Sequence, residues 1–298
     1  MLSHNKIHPN LTRFAWLSIT AAILTIGIKA IAYLITGSVG LFSDALEGGV
    51  NLVGALMQLF VLKVAAQPAD DEHMYGHTKA EYFSSGAEGF LILSAAIVIG
   101  FEAIKRLLVP EPIDQVMEGL SVSLIASLIN LTAARVLLKN GQKYQSIALS
   151  AGGQHLMTDV YTSAGVIFGV GLVALTGWYW LDPVIALMVA ANILFTGYRI
   201  LHESIEGLMD HSIPPEKQEI LSRIISRHRE NGIEIHEVRT RQAGAQSYIR
   251  FHILVPGDWT VQHGHQLCDA VELEIQSAIP NSHVDTHLES LDDPRSWM

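Results

Sequence analysis

The sequence predicts an α-helical membrane protein with six transmembrane helices, followed by a small α+β domain outside the membrane. Of its 298 residues, 49% are hydrophobic and 16% charged, whereas soluble chains carry about 25% charged residues. Charged residues make up about 12% of residues 1–209 but about 25% of residues 210–298. We therefore predict a transmembrane domain over residues 1–209 and a cytoplasmic domain over residues 210–298.

Six segments of the first part are long and apolar enough to span a bilayer, which needs about 20 helical residues. They are Phe14–Gly37, Val39–Val64, Ala80–Leu108, Met117–Leu138, Ile147–Leu175 and Tyr179–Ile200. Lys and Arg favour cytoplasmic loops. They flank the second-to-third and fourth-to-fifth connections, and only Lys105 and Arg106 break the pattern. An even number of spans then places both termini in the cytoplasm. The protein is expected in the inner membrane of the cell.

The small domain is predicted to contain two helices and three strands. Pro214–His228 is an amphipathic helix, and Ile233–Arg241 and Tyr248–Val255 alternate apolar and polar residues as strands do. Val261–Ala278 is a second helix, and Ser282–Glu289 a third strand. This α-β-β-α-β order predicts an open-faced α+β sandwich.

Charge and cysteine content exclude several functions. The net charge is −10, and nucleic-acid binding needs clustered Lys and Arg, so a nucleic-acid partner is not expected. The single cysteine, Cys268, excludes a disulfide framework and a Cys-based zinc cage. Fourteen histidines remain to be explained, eight of them after residue 209.

Ionisable residues inside the predicted spans indicate a metal site. Charge in hydrocarbon costs several kcal/mol, so such residues are functional candidates by default. Glu47 and Asn51 are four residues apart in the second span, as are His155 and Asp159 in the fifth. That spacing places each pair on one helix face, and four ligands suit tetrahedral Zn²⁺. The alternative is a set of isolated polar residues satisfied by hydrogen bonds between helices.

Two more groups of residues could bind metal. Asp70, His73 and His77 lie in the second-to-third loop, where a solvated acidic loop is the equal alternative. On the last strand, His283, Asp285, His287 and Glu289 are spaced by two and therefore share one face. His236, His252, His263 and His265 belong to the same domain. A metal cluster is our preferred interpretation, and a His-rich polar sheet face is the alternative.

The chain resembles the cation diffusion facilitator family, and within it the bacterial iron/zinc efflux type, over nearly its whole length. The similar stretches are Ser43-Asp44-Ala45-Leu46, Gln67–Asp71, Gly76–Glu81, His155-x-x-x-Asp159 and Val238–Gln242. The resemblance implies six spans and a metallochaperone-like cytoplasmic domain. It also implies a divalent metal/proton antiporter that works as a homodimer.

The resemblance also assigns site residues. The transported ion would bind at Glu47, Asn51, His155 and Asp159, with Asp44 as a candidate extra ligand. Asn51 departs from the family, whose second-span ligands are Asp/Asp or His/Asp, because an amide offers only a neutral oxygen. A mixed oxygen and nitrogen site could accept Fe²⁺, Co²⁺, Ni²⁺ or Mn²⁺ as well as Zn²⁺. Three further groups are implied: a loop site (Asp70, His73, His77), a cytoplasmic site (His236, His252, His265, His287, Glu289) and a charged pair near the dimer axis (Lys79, Asp210).

The expected function is therefore export of a transition metal, with Zn²⁺ or Fe²⁺ first, in exchange for protons. Two other classes stay open, an intramembrane metalloenzyme and a membrane-bound metal sensor without transport. An enzyme is not expected, because no HExxH motif occurs in the chain. Metal flux would separate the transporter from both alternatives.

Overall fold

The computed structural model describes residues 12–65, 67–109, 113–144, 147–229 and 232–297. Six long helices come first: α1 (Thr12–Thr36), α2 (Val39–Ala65), α3 (Ala80–Leu108), α4 (Val116–Tyr144), α5 (Ile147–Thr176) and α6 (Leu181–Leu208). The remaining elements are α7 (Pro215–His228), β1 (Glu234–Ala243), β2 (Gln246–Val255), α8 (Val261–Ala278), β3 (Ser282–Ser290) and a 3₁₀ turn at Pro294–Trp297. The predicted fold class, a helical membrane region followed by an α+β domain, is confirmed.

Five of the helices in the described ranges are long and apolar enough to cross a membrane, namely α1, α3, α4, α5 and α6. The remaining predicted span, α2, has 27 residues and is therefore about 40 Å long. Asp44 and Glu47 lie in its first third. Large apolar side chains such as Phe90, Phe101 and Phe168 are exposed on the helices, as contact with lipid requires.

The chain forms two compact units. One contains the residues up to Met57 together with Ala87–Leu201, and the other contains Gln58–Gly86 together with His202–Met298. Three helices, α2, α3 and α6, continue from one unit into the other, so the units do not coincide with a single cut in the sequence. The domain boundary between residues 209 and 210 stays a prediction.

The first unit has an apolar seam between α2, α3 and α6. Small and β-branched residues at helical spacing form it, among them Val39, Ile99, Ala186, Ala190 and Ile193. Asp182, at the start of α6, accepts hydrogen bonds from the backbone N–H groups of Val39 at 2.8 Å and Gly40 at 3.2 Å. This buried carboxylate satisfies the free N–H groups at the beginning of α2, and so fixes where the ligand-bearing helix starts.

The second unit contains a three-stranded sheet in the order β1-β2-β3. β1 and β2 pair antiparallel, and β3 pairs parallel with β2 after the crossover through α8. The inward residues of the strands pack with α7 and α8 around Phe251, Ile249, Ile224 and Val271. Because side chains alternate along a strand, the residues between those core positions, His252 among them, lie on the opposite face.

Candidate metal centres

The α2 helix carries three polar residues one turn apart, and Asp44 is the deepest of them. Its Oδ1 accepts hydrogen bonds from Lys29 Nζ and Ser163 Oγ, both at 2.8 Å. Only 2% of Asp44 and 4% of Lys29 is exposed. Asp44 was expected as a candidate extra ligand, and here it is the acceptor of a buried ion pair.

Glu47 and Asn51, the predicted second-span ligands, line a cavity of about 60 Å³ in the first unit. The cavity also has two polar residues of α6, Asn192 and Thr196, in its wall. Apolar side chains of α2, α3 and α6 form the rest. The helical spacing of four therefore does place Glu47 and Asn51 on one face, but the polar residues that share this cavity with them come from α6.

His155 and Asp159 lie one turn apart on α5, in the same unit. The four predicted residues therefore belong to one compact unit, Glu47 and Asn51 on α2 and His155 and Asp159 on α5. Glu47, His155 and Asp159 do not form one of the described groups whose ligand atoms all lie within 4.8 Å of one another. Among the described residues, the groups of three whose ligand atoms all lie within 4.8 Å are the loop triad and a sheet triad.

The loop triad consists of Asp70, His73 and His77, as the spacing predicts. Asp70 lies 3.5 Å from His73 Nδ1 and 3.4 Å from His77 Nε2. Backbone N–H groups of His73 at 2.7 Å and Glu72 at 3.0 Å also donate to Asp70. These donors, led by the His73 N–H, lower the pKa of Asp70, so at neutral pH it presents the anionic form that binds a cation.

The sheet triad consists of His236, His252 and Glu289. His236 faces His252 across β1 and β2, and His252 faces His287 across β2 and β3. Three strands thus align three histidines in one row. The Glu289 carboxylate lies 3.2 Å from His236 Nε2, 3.2 Å from His252 Nδ1 and 3.5 Å from His287 Nε2.

A bulge in β1 shapes one end of that row. The register shifts after His236, and Glu237 adopts φ +49°, a conformation that residues other than glycine rarely take. Such bulges redirect a side chain at a strand edge. His265, which the resemblance implied as a fifth member of the cluster, lies on α8 with its Nε2 3.5 Å from Asp269.

The charged pair implied by the resemblance is formed in the second unit. Lys79 Nζ lies 2.8 Å from Asp210 Oδ1, and Arg241 lies 3.2 Å from the same oxygen. Asp210 itself adopts φ +60° just after α6. The two cations, with the Lys79 hydrogen bond first, lower the pKa of the Asp210 carboxyl.

Asn192 and Thr196, which line the cavity with Glu47 and Asn51, were not predicted as site residues from the sequence. Both are neutral and stand in an apolar helix, so a search for ionisable residues passes over them. Their spacing of four residues, equal to that of Glu47 and Asn51, was the available signal.

The chain matches two known family models along most of its length. Residues 15–209 match the model of the cation efflux transmembrane domain, and residues 213–291 match that of the cation efflux protein cytoplasmic domain. The chain belongs to the cation diffusion facilitator family. It is a cation efflux transporter with a membrane domain of apolar helices and a cytoplasmic domain of the family's dimerisation type.

Several relatives match along almost the whole chain. An uncharacterised transporter of Synechocystis sp. is 52% identical over 95% of this chain and 92% of its own. The cation-efflux pump FieF of Citrobacter koseri is 31% identical over 93% of this chain and 91% of its own. The FieF of Shewanella oneidensis is 28% identical over 91% and 90%. All three are described as transporters or pumps, which agrees with the expectation of no enzymatic activity.

Proposed function

We propose that this cation efflux transporter exchanges a divalent transition metal for protons. It exports the metal from the cytoplasm, with Zn²⁺ or Fe²⁺ as the main cargo and Co²⁺, Ni²⁺ or Mn²⁺ as others. The observation that carries the proposal is the presence of Glu47 on α2 and of His155 and Asp159 on α5 within a region that matches the cation efflux transmembrane domain. Two carboxylates and an imidazole at that depth suit a divalent metal.

Protons are the proposed counter-ion because metal ligands must be deprotonated to bind. His155 is the proposed carrier, since the ordinary pKa of histidine lies near physiological pH. Facing the cytoplasm, the site would exchange its protons for metal. Facing outward, it would take up protons and release the metal. Asn51 contributes a neutral oxygen, which leaves the site with fewer carboxylates than the family's Asp/Asp type.

We further propose that the transporter is a homodimer in the cytoplasmic membrane, with both termini in the cytoplasm. The match to a dimerisation-type cytoplasmic domain and the positions of the basic loops support this. The loop triad and the sheet triad are then cytoplasmic metal sites. We assign them a regulatory or structural role, in which bound metal holds the acidic tails of two subunits together.

Metal flux in proteoliposomes tests the proposal. With an inward-directed proton gradient, Asp159→Asn should lose most transport of every divalent metal, and wild-type transport should collapse the gradient. Asp114→Asn, which removes an exposed carboxylate from the α3–α4 connection, is the matched control. Wild-type flux in Asp159→Asn would reject the site, and flux without proton movement would reject antiport.

A further inference from the structure

The cavity beside α2 is walled by two polar pairs that face it from different helices. Glu47 and Asn51 come from α2, and Asn192 and Thr196 come from α6. Each pair has a spacing of four residues, so its members lie one above the other on their helix. The cavity volume of about 60 Å³ exceeds the 10–15 Å³ that one water needs. A single cation with part of its hydration shell fits such a space.

The donor atoms of this cavity differ in kind from those on α5. The α2 and α6 side chains can offer a carboxylate, two amide carbonyls and a hydroxyl, which are all oxygen ligands. Oxygen-only sets suit hard cations such as Mn²⁺, whereas imidazole suits Zn²⁺ and its neighbours. Glu47 supplies the only negative charge among the four, which favours weak binding and ready release.

The four polar residues lie among apolar side chains. Ile92, Ile193 and Val50 line the same cavity, and Ile193 is 6% exposed within the apolar seam. A polar group at membrane depth needs a partner. Of the four polar residues, Glu47, Asn51 and Thr196 are partly buried and Asn192 is exposed, and all four line the cavity. Their donors and acceptors lie where a cation or water in the cavity could serve as that partner.

We propose that Glu47, Asn51, Asn192 and Thr196 form a second cation station on the transport path. This inference rests on the proposed function, because Glu47 and Asn51 are shared with the site completed by His155 and Asp159. The cargo moves between an α5 side that offers nitrogen and oxygen and an α6 side that offers oxygen alone. The α6 side then sets how well hard divalent cations compete with zinc.

Flux of Mn²⁺, Fe²⁺ and Zn²⁺ in proteoliposomes tests the station. Asn192→Leu and Thr196→Val remove its oxygen ligands with little change in volume. The KM for Mn²⁺ should rise about tenfold, as the loss of one or two neutral ligands implies, while the KM for Zn²⁺ changes by less than about threefold. Thr132→Val, which removes an exposed hydroxyl of α4 bonded to its own helix, is the matched control.

A gain-of-charge variant provides an independent test. Asn192→Asp should lower the KM for Mn²⁺ and also lower its maximal flux, because a second carboxylate slows release. An unchanged ratio of Mn²⁺ to Zn²⁺ in all three variants would overturn the station, as would equal losses for all three metals. Asp159→Asn in the same series separates the two proposals: if it abolishes flux while the α6 variants change nothing, the transport site stands and the station falls.

Discussion

Lys29 Nζ lies 2.8 Å from Asp44 Oδ1, and both side chains are almost fully buried. Ser163 Oγ donates to the same oxygen, so three helices, α1, α2 and α5, meet at one carboxylate. Asp44 precedes Glu47 by three residues and Ser163 follows Asp159 by four. The ion pair therefore lies one turn from the proposed ligands on both helices, and joins the helices that carry them.

The first prediction concerns this pair. Lys29→Met should lower the free energy of unfolding by about 3–5 kcal/mol, because it leaves a buried carboxylate without its counter-charge. The double variant Lys29→Met, Asp44→Leu should recover most of the loss, since a pair replaced by apolar residues is often neutral. Thermal unfolding in detergent measures both. Equal stability of Lys29→Met and the wild type would show that the pair does not hold α1 to α2.

The second prediction concerns metal choice. Asn51→Asp should raise Zn²⁺ transport relative to Mn²⁺ by roughly tenfold, because it strengthens the site that the His155 imidazole completes, and imidazole suits Zn²⁺. The change also gives that site the three carboxylates of the Asp/Asp type that the resemblance implies. Flux against a panel of divalent metals measures the ranking. Asn140→Asp adds the same charge near the exposed end of α4 and should leave the ranking unaltered. An unchanged ranking in Asn51→Asp would remove this residue from the determinants of selectivity.

The sequence predicted local features well. The expected bounds of α8, Val261–Ala278, agree with the structure, because Thr260 caps its start by accepting from the His263 N–H and its apolar residues repeat at helical spacing. The period of two on β3 likewise put His287 and Glu289 on one face. Both features depend on neighbouring residues, which a sequence displays directly.

Features that join distant segments could not be predicted in the same way. Nothing in the sequence shows that Lys29 would ion-pair with Asp44, or that the β1 bulge at Glu237 would bring His236 opposite His252. The role of Asn192 and Thr196 depends on how α6 packs beside α2, and helix packing is decided by whole apolar faces. Their neutral side chains carry no signal of function without that contact.

The third prediction concerns metal binding by the sheet triad, which the neighbouring Trp297 side chain can report. The Trp297 ring lies 5.8 Å from the His236 ring, so Zn²⁺ or Co²⁺ bound by His236, His252 and Glu289 should change the Trp297 fluorescence. His252→Ala should abolish this response in the full chain, and Trp297→Phe should remove the signal itself. His211→Ala, which changes an exposed histidine elsewhere in the domain, should keep it. A full response in His252→Ala would exclude His252 from the metal site.

The fourth prediction concerns the acid sensitivity of the Lys79–Asp210 pair. Because Lys79, and after it Arg241, lowers the pKa of Asp210 in the folded chain, the pair stabilises the fold above the ordinary aspartate pKa of about 3.9. That stabilisation should disappear as the pH falls through the lower folded value. Asp210 is half exposed, so the contribution should stay below about 1 kcal/mol.

NMR titration of the Asp210 carboxyl in the full chain measures this directly. The midpoint should lie below the ordinary value in the wild type and rise towards it in Lys79→Gln. It should stay somewhat low in that variant, because the Arg241 guanidinium remains 3.2 Å away. Arg223→Gln, which removes an exposed cation that pairs within α7, should leave the midpoint where it is. If Lys79→Gln also left it unchanged, the ammonium would not be what holds Asp210 ionised, and the pair would not account for the acid sensitivity of this connection.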